Sequence, residues 1–353
     1  MGEGTSRRGI LGQMLALSAS LPLFGPEKLL AEPASDYVGR YVQPDLRAAA
    51  RAILDAADRT PPLSLKTLAA RRAEMAPRMP ISLPGIPIEA RRIRGSVGQP
   101  DVTIYVINAK AGMSRPGILS THGGGFVLGT AAGDNPSLQK LCKALDCVVV
   151  NVDYRLAPEA RYRDSVEDNY AGLKWLHTHA EALGVDPHRI AVMGSSAGGG
   201  HAALLAITAR DRGEVPLIFQ CLIYPMLDDR TGATRSVAPR MGRIIWTAQD
   251  NRFGWRSFLG VEPGSARVPH GAVPARVDNL KGLPPAFIGV GTLDLFLDED
   301  ITFAQRLNAA GVPTELIVVP GAFHGFDGIV GTRTADWFNA TKLDALRRGL
   351  GIA

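Results

Sequence analysis

The sequence predicts an α/β fold: a mostly parallel central sheet with helices on both faces and a helical cap. From about Ile88 onward, short apolar runs alternate with helical segments. The runs are nearly continuous in apolar residues, as strands buried on both faces are. Candidate reactive residues fall directly after several of these runs, and the carboxyl ends of such strands are where sites of this class form.

Composition narrows the partners. The chain has 353 residues, 46% of them hydrophobic and 21% charged, which is enough apolar material for a large core. Length alone allows one to three domains. The net charge is +5, but the basic residues are scattered, with local clusters only at Arg71-Arg72 and Arg91-Arg92-Ile93-Arg94. No basic stripe is interleaved with aromatics, so no nucleic-acid partner is expected. Three cysteines, Cys142, Cys147 and Cys221, make no disulfide framework and read as buried structural thiols. No apolar run reaches the roughly eighteen residues of a membrane span. Both a monomer and a homodimer fit the sequence.

The N-terminus opens with Thr5-Ser6-Arg7-Arg8-Gly9-Ile10-Leu11 and a mildly apolar stretch to about Phe24. A twin arginine before such a stretch resembles a bacterial export signal, with cleavage after Ala31 and a periplasmic or secreted product. The alternative is an N-terminal helix of a cytoplasmic protein. Residues 36–85 read as a small helical cap element. Arg47 to Ala57 is rich in helix formers, and a second helix is expected around Leu65 to Met75. Pro77 to Pro87 is rich in proline, which ends helices.

Residues 86–353 read as the main domain. Strands are expected at Val102–Asn108, Gly117–Thr121, Val148–Val152, Ile190–Met193, Leu217–Tyr224, Phe287–Val290 and Leu316–Val319. Helices are expected at Asn135–Leu145, Ser165–Glu181, His201–Arg210 and Asp300–Ala310. Residues 228–283 break the alternation and gather Trp246, Phe253, Trp255 and Phe258. This stretch reads as a helical insertion completing the cap. The alternative is a long ordered loop with a satellite core, although loops of that length are uncommon in compact domains.

The motif at the centre of the chain is Gly194-Ser195-Ser196-Ala197-Gly198-Gly199, between the apolar run Ile190–Met193 and a helical segment. Strand, Gly-x-Ser-x-Gly, helix is the pattern of a nucleophile elbow, and only Ser196 has glycine two residues to either side. A plain glycine-rich turn is the alternative. Thr121-His122-Gly123-Gly124-Gly125-Phe126 follows another strand. Its glycines would let backbone N–H groups face an oxyanion, or would form a flexible loop. Asp294 lies just past a third strand, with Asp298, Glu299 and Asp300 after it. An acid there could instead cap the next helix, a role that suits Asp300. His324 lies on a glycine-flanked loop after the last strand, where a solvated surface histidine is the ordinary alternative. The chain order Ser196, Asp294, His324 favours a catalytic triad.

Together these residues resemble the hormone-sensitive-lipase-like family of microbial carboxylesterases, within the α/β-hydrolases. The resemblance covers roughly residues 85–350. His122-Gly123-Gly124-Gly125 is similar to the family's HGGG loop and Asp153-Tyr154-Arg155-Leu156-Ala157-Pro158-Glu159 to its DYRLAPE segment. Gly194 to Gly199 is similar to GDSAGG, and Phe323-His324-Gly325-Phe326 to the final histidine loop. Ser195 stands where the family most often has Asp, and Asp294 to Glu299 matches its DPLRDE only at the acids.

The resemblance implies a serine carboxylesterase acting on short- to medium-chain esters. Ser196 would be the nucleophile, His324 the base and Asp294 its orienting acid. Gly124, Gly125 and Ala197 would supply the oxyanion hole, and DYRLAPE would support the site. No cofactor is implied, and the histidines and cysteines lack zinc-site spacing. The alternatives are an amide, formamide or lactone hydrolase with the same triad, or an inactive ligand-binding relative.

Overall fold

The computed structural model describes residues 33–75 and 83–352. The export-signal expectation for residues 1–31 lies outside them, as does residues 77–82 of the proline-rich stretch. The strands are β1 (Ile88–Ile93), β2 (Val102–Ile107), β3 (Arg115–Thr121), β4 (Val148–Asp153), β5 (Val185–Ser195), β6 (Phe219–Ile223), β7 (Ala286–Gly291) and β8 (Thr314–Val319). They form one sheet in the order β1-β2-β4-β3-β5-β6-β7-β8. Only β2 runs against its neighbours, and the pairs from β4 through β8 are parallel.

Seven strands coincide with the apolar runs of the sequence, and β1 is an addition. Four of its six residues are exposed, and Arg91 and Arg92 sit in its middle, so it has no apolar run. An edge strand that is charged and exposed resists pairing with other chains.

The helices are α1 (Ala34–Tyr41), α2 (Arg47–Ala57), α3 (Leu68–Glu74), α4 (Ala131–Leu145), α5 (Tyr162–Thr178), α6 (Ala180–Leu183), α7 (Ala197–Arg212), α8 (Ala248–Leu259), α9 (Leu297–Ala309) and α10 (Arg333–Gly349). They cover both faces of the sheet. One core packs Leu173 and Leu176 of α5, Leu205 of α7 and Phe303 and Leu307 of α9 on one face. The other packs Leu138 of α4, Phe338 and Leu346 of α10, and Tyr37, Leu46 and Ala50 from the N-terminal segment. The C-terminal helix α10 was not among the expected ones, although its buried Ala335, Phe338, Ala345 and Leu346 follow a helical period.

Between β6 and β7 the described helical elements are α8 and a 3-10 turn at Pro274–Arg276. The start of α8 is written locally: the Thr247 hydroxyl accepts from the Asp250 N–H, and the Asp250 carboxylate accepts from the Thr247 N–H. Gly260 in the left-handed conformation ends it. Trp255 and Phe258 from α8 are fully buried with Leu68 of α3 and Phe126. Phe126 stacks on Phe258 with ring centroids 4.0 Å apart. Burial of each such ring contributes about 2–3 kcal/mol. This third core therefore fastens α3 and α8 to the loop that follows the three glycines.

All three cysteines are free and buried. Burial pushes the Cys221 thiol up to about 12. A hydrogen bond with Cys147, then burial, raise Cys142 further.

Candidate active site

β5 ends at Ser195 and α7 begins at Ala197, so Ser196 alone makes the turn between them. Its φ of 58° and ψ of −125° are costly for a side-chain-bearing residue. Backbone hydrogen bonds hold it there. Ser196 N–H donates to Ile223 C=O at 2.9 Å, and Ser196 C=O accepts from Met226 N–H at 2.9 Å and from Gly200 N–H at 3.0 Å. The tightness explains the flanking glycines. A Cβ on Gly194 would overlap the Gly198 carbonyl, and one on Gly198 would overlap the Thr121 carbonyl. Ser195, by contrast, is a half-buried strand residue.

The loops after β7 and β8 lock together. Thr292 N–H donates to Val319 C=O at 3.0 Å, and Leu293 N–H to Ala322 C=O at 2.9 Å. Gly321 N–H donates to the Thr292 hydroxyl at 2.8 Å. This interlock brings Asp294 against His324. Asp294 Oδ2 lies 2.9 Å from His324 Nδ1, and His324 Nε2 lies 2.9 Å from Ser196 Oγ. Asp294 Oδ1 also accepts from the Phe296 N–H at 3.0 Å, so one carboxylate both restrains the start of α9 and meets the imidazole. Asp294 is fully buried, and Ser196 and His324 are nearly so. The three residues 128 and 30 positions apart thus form one hydrogen-bonded line.

Asp300 does not cap α9. Phe296 is the N-cap, and Asp300 lies inside the first turn, fully buried, with no hydrogen-bond partner on either carboxyl oxygen. Burial first, then the Glu299 and Asp294 charges, push its carboxyl well above the usual range. Glu299 is raised likewise by burial, although its Oε1 accepts from the Leu227 N–H at 2.6 Å and the Asp228 N–H at 3.1 Å.

The glycine loop lies beside the elbow. Gly124 and Gly125 have φ of 125° and 60°. The Gly124 carbonyl accepts from Val127 and Leu128 N–H, at 3.1 and 2.8 Å, which fixes the turn. A Cβ on Gly125 would overlap the Trp246 ring. Ala197, fully buried, opens α7, where helical N–H groups have no partner inside the helix. The Thr121 hydroxyl donates to the Gly198 carbonyl at 2.7 Å, joining this loop's strand to the elbow.

The segment after β4 braces the loop. The Tyr154 hydroxyl donates to the His122 carbonyl at 2.7 Å, and the two rings stack with centroids 4.2 Å apart. Ala157 N–H donates to the Phe126 carbonyl at 2.9 Å. Arg155 forms two parallel 2.8 Å hydrogen bonds with the buried Asp168. Burial holds the His122 imidazole below its usual range, so it stays neutral beside the loop.

Three aromatic residues around the site were not singled out as contacts by the motifs. Tyr224 and Phe296 flank His324, with ring centroids 4.6 and 5.3 Å away. Trp246 covers Gly125. The first two follow directly on β6 and on the Asp294 turn, and that position at strand ends was the available signal. Among the described residues no group of His, Cys, Asp or Glu is arranged to hold a metal ion.

With this geometry in place, comparison with known proteins is decisive. The family described as the alpha/beta hydrolase fold matches residues 118–328. The esterase LipI of Mycobacterium tuberculosis is 36% identical, over 79% of this chain and 85% of the relative. This chain belongs to the hormone-sensitive-lipase-like carboxylesterase family of the α/β-hydrolases.

Other members of the family agree. The carboxylesterase NlhH of the same organism is 36% identical over 70% of this chain and 77% of its own length. Among solved structures, a bacterial heroin esterase superposes with a TM-score of 0.78 at 36% identity, covering 88% of this chain and 98% of its own. Esterase LipW from Mycobacterium marinum gives 0.70 at 32% identity, covering 88% and 96%. The α/β-hydrolase fold expected from the motifs is the fold observed. No helix among the described residues is long and apolar enough to cross a membrane.

Proposed function

We propose that this carboxylesterase hydrolyses short- to medium-chain esters through an acyl-enzyme on Ser196. What carries the reading is the unbroken line from Ser196 Oγ through His324 to Asp294, with 2.9 Å at each step. Ser196 Oγ attacks the ester carbonyl as His324 Nε2 takes its proton. Asp294 fixes the imidazole with its proton on Nδ1 and stabilises the cation that forms. The carbonyl oxygen becomes an oxyanion, received by the N–H groups of Gly124, Gly125 and Ala197. Each such donor is worth about 3 kcal/mol of transition-state stabilisation. The tetrahedral centre then collapses, and His324 hands the proton to the departing alkoxide. Water enters, loses a proton to His324, and releases the acid by the reverse route.

The third apolar core supports a cap built from the N-terminal helices and residues 228–283. Its aromatic lining, with Trp246 at Gly125, suits a compact apolar substrate over a long lipid chain. We assign residues 1–31 to twin-arginine export, on the Arg7-Arg8 pair and the mildly apolar stretch after it. Replacing both arginines with lysine in the full chain should then retain activity in the cytoplasmic fraction; unchanged fractionation would remove that assignment.

The test of the catalytic reading is hydrolysis of p-nitrophenyl esters from acetate to palmitate, by wild type and Ser196→Ala. Turnover that peaks at short chains and vanishes in the variant supports it. A peak at long chains makes the enzyme a lipase. If wild type cleaves matched amides or lactones in preference to esters, the same triad serves a different bond. Wild-type turnover in Ser196→Ala would sink the mechanism.

A further inference from the structure

The segment between β6 and α8 carries a strained feature that the triad does not explain. Trp246 N–H donates to the Ile244 carbonyl at 2.9 Å, across Ile245 with φ of 69°. An i to i+2 bond around a positive φ is the rare, strained form of γ-turn. A β-branched residue is among the least suited to it. The turn buries its flanks and exposes its centre: Ile244 and Trp246 are buried, whereas Ile245 is 47% exposed. Strain of this kind persists only where surrounding structure imposes it, and it gathers at functional sites.

The turn reaches both halves of the candidate site. On one side the Trp246 ring fills the space beside Gly125. On the other, Ile245 Cδ1 lies 3.1 Å from the position a Cβ on Gly325 would take, directly after His324. Upstream, Gly242 N–H donates to Leu293 C=O at 3.0 Å, tying the segment to the Asp294 turn. The exposed apolar side chain therefore stands at the histidine end of the site.

We infer that Ile245 is a specificity-determining residue that touches the leaving alcohol of the ester. The inference rests on the acyl-enzyme reading above. In that reaction the departing oxygen must come within hydrogen-bond reach of His324 Nε2 to receive its proton. The alkoxy group is thus held at the histidine end, where Tyr224 and Phe296 flank the imidazole and Ile245 adds an exposed apolar side chain beside Gly325. The strained turn is what keeps that surface exposed and in place. Ile245 selects by alcohol size and polarity, and the acyl chain is read elsewhere.

The experiment compares wild type with Ile245→Gly, which keeps the positive φ without strain and removes the side chain. Ile245→Asn, which tolerates the left-handed conformation but is polar, is the second variant. One series holds the acyl group as acetate and varies the alcohol from ethyl to butyl to benzyl. The other holds ethanol and varies the acid from acetate to hexanoate. In both variants the benzyl-to-ethyl ratio of kcat/KM should fall by about tenfold or more, while the acyl series keeps its profile. The midpoint of thermal unfolding should hold or rise in Ile245→Gly as the strain is released. An unchanged alcohol ratio, or equal changes in both series, overturns the inference. Labelling of Ser196 by an organophosphonate separates the two levels. Normal labelling with an unchanged alcohol ratio rejects only the role of Ile245. Absent labelling in wild type rejects the acyl-enzyme reading and this inference with it.

Discussion

Tyr224 lies against His324, with ring centroids 4.6 Å apart, while its hydroxyl donates to Asp327 at 2.5 Å. Asp327 in turn meets Lys342 Nζ of α10 at 3.1 Å, and its carbonyl accepts from Asn339. Asp327 thereby ties the histidine loop both to α10 and to a tyrosine in direct ring contact with the imidazole. Burial, then the Asp327 charge, push the Tyr224 phenol well up, so it stays a donor across the working pH range.

Tyr224→Phe should retain the ring contact and lose the tether. We expect a cost of about 1 kcal/mol in stability and a fall in kcat with KM nearly unchanged, because the imidazole is held less firmly. Steady-state kinetics and urea unfolding check both. Unchanged kcat with reduced stability would make the tether purely structural.

Gly125→Ala sets a side chain against the Trp246 ring at a φ of 60°. The loop must shift, and with it the N–H groups proposed as oxyanion donors. The expected result is a loss of about 100- to 1,000-fold in kcat on p-nitrophenyl acetate, with phosphonate labelling of Ser196 slowed in parallel. Activity near wild type would exclude Gly125 from the oxyanion hole.

Arg72 on α3 joins that helix to the segments that follow β3 and β4. Its guanidinium donates to the carbonyls of Val127 and Ala157, both at 2.8 Å, and grips Glu159 with two bonds of 2.8 and 2.9 Å. Lysine has no fork to satisfy these partners at once. Arg72→Lys should therefore speed limited proteolysis around α3 and raise KM more than it lowers kcat. If α3 is as protected as in wild type, Arg72 does not hold this helix in place.

The buried carboxyls predict a pH effect with a definite sign. In the folded chain Asp300 holds its proton well above the usual range, whereas unfolded it ionises near about 4. Between those two values the native state binds more protons. Stability therefore falls as pH rises through that window, by up to about 1.4 kcal/mol per pH unit for this group. Asp300→Asn should shrink the difference between urea midpoints at pH 5 and pH 7. An equal difference in the variant would show that Asp300 ionises normally in the fold.

The three residues of the hydrogen-bonded line were legible because each comes soon after an apolar strand and carries a local signature. Ser196 is marked by glycines, Asp294 by its turn and His324 by its loop. The glycine loop after Thr121 was legible for the same reason, whereas Asp153 to Glu159 stood out only through the family resemblance. What the sequence concealed depends on distant contacts. No periodicity announces that Trp246 fills the space at Gly125, 121 positions away, or that Tyr224 would meet both Asp327 and His324. Strand β1 escaped because Arg91 and Arg92 interrupt its pattern at an exposed edge. Asp300 looked like a helix cap because its residue type fits that role, but the chain turns earlier, at Phe296.

The sequestered thiols have a practical consequence. Cys142, Cys147 and Cys221 are buried, and Cys142 and Cys221 hold their protons far above neutral pH. Maleimides and iodoacetamides need an accessible thiolate, so the native enzyme offers them no target. A cysteine introduced at the exposed Trp337 or Val330 would be the chain's single reactive handle. A dye, a tether or a solid support can then be attached at one chosen point on the surface.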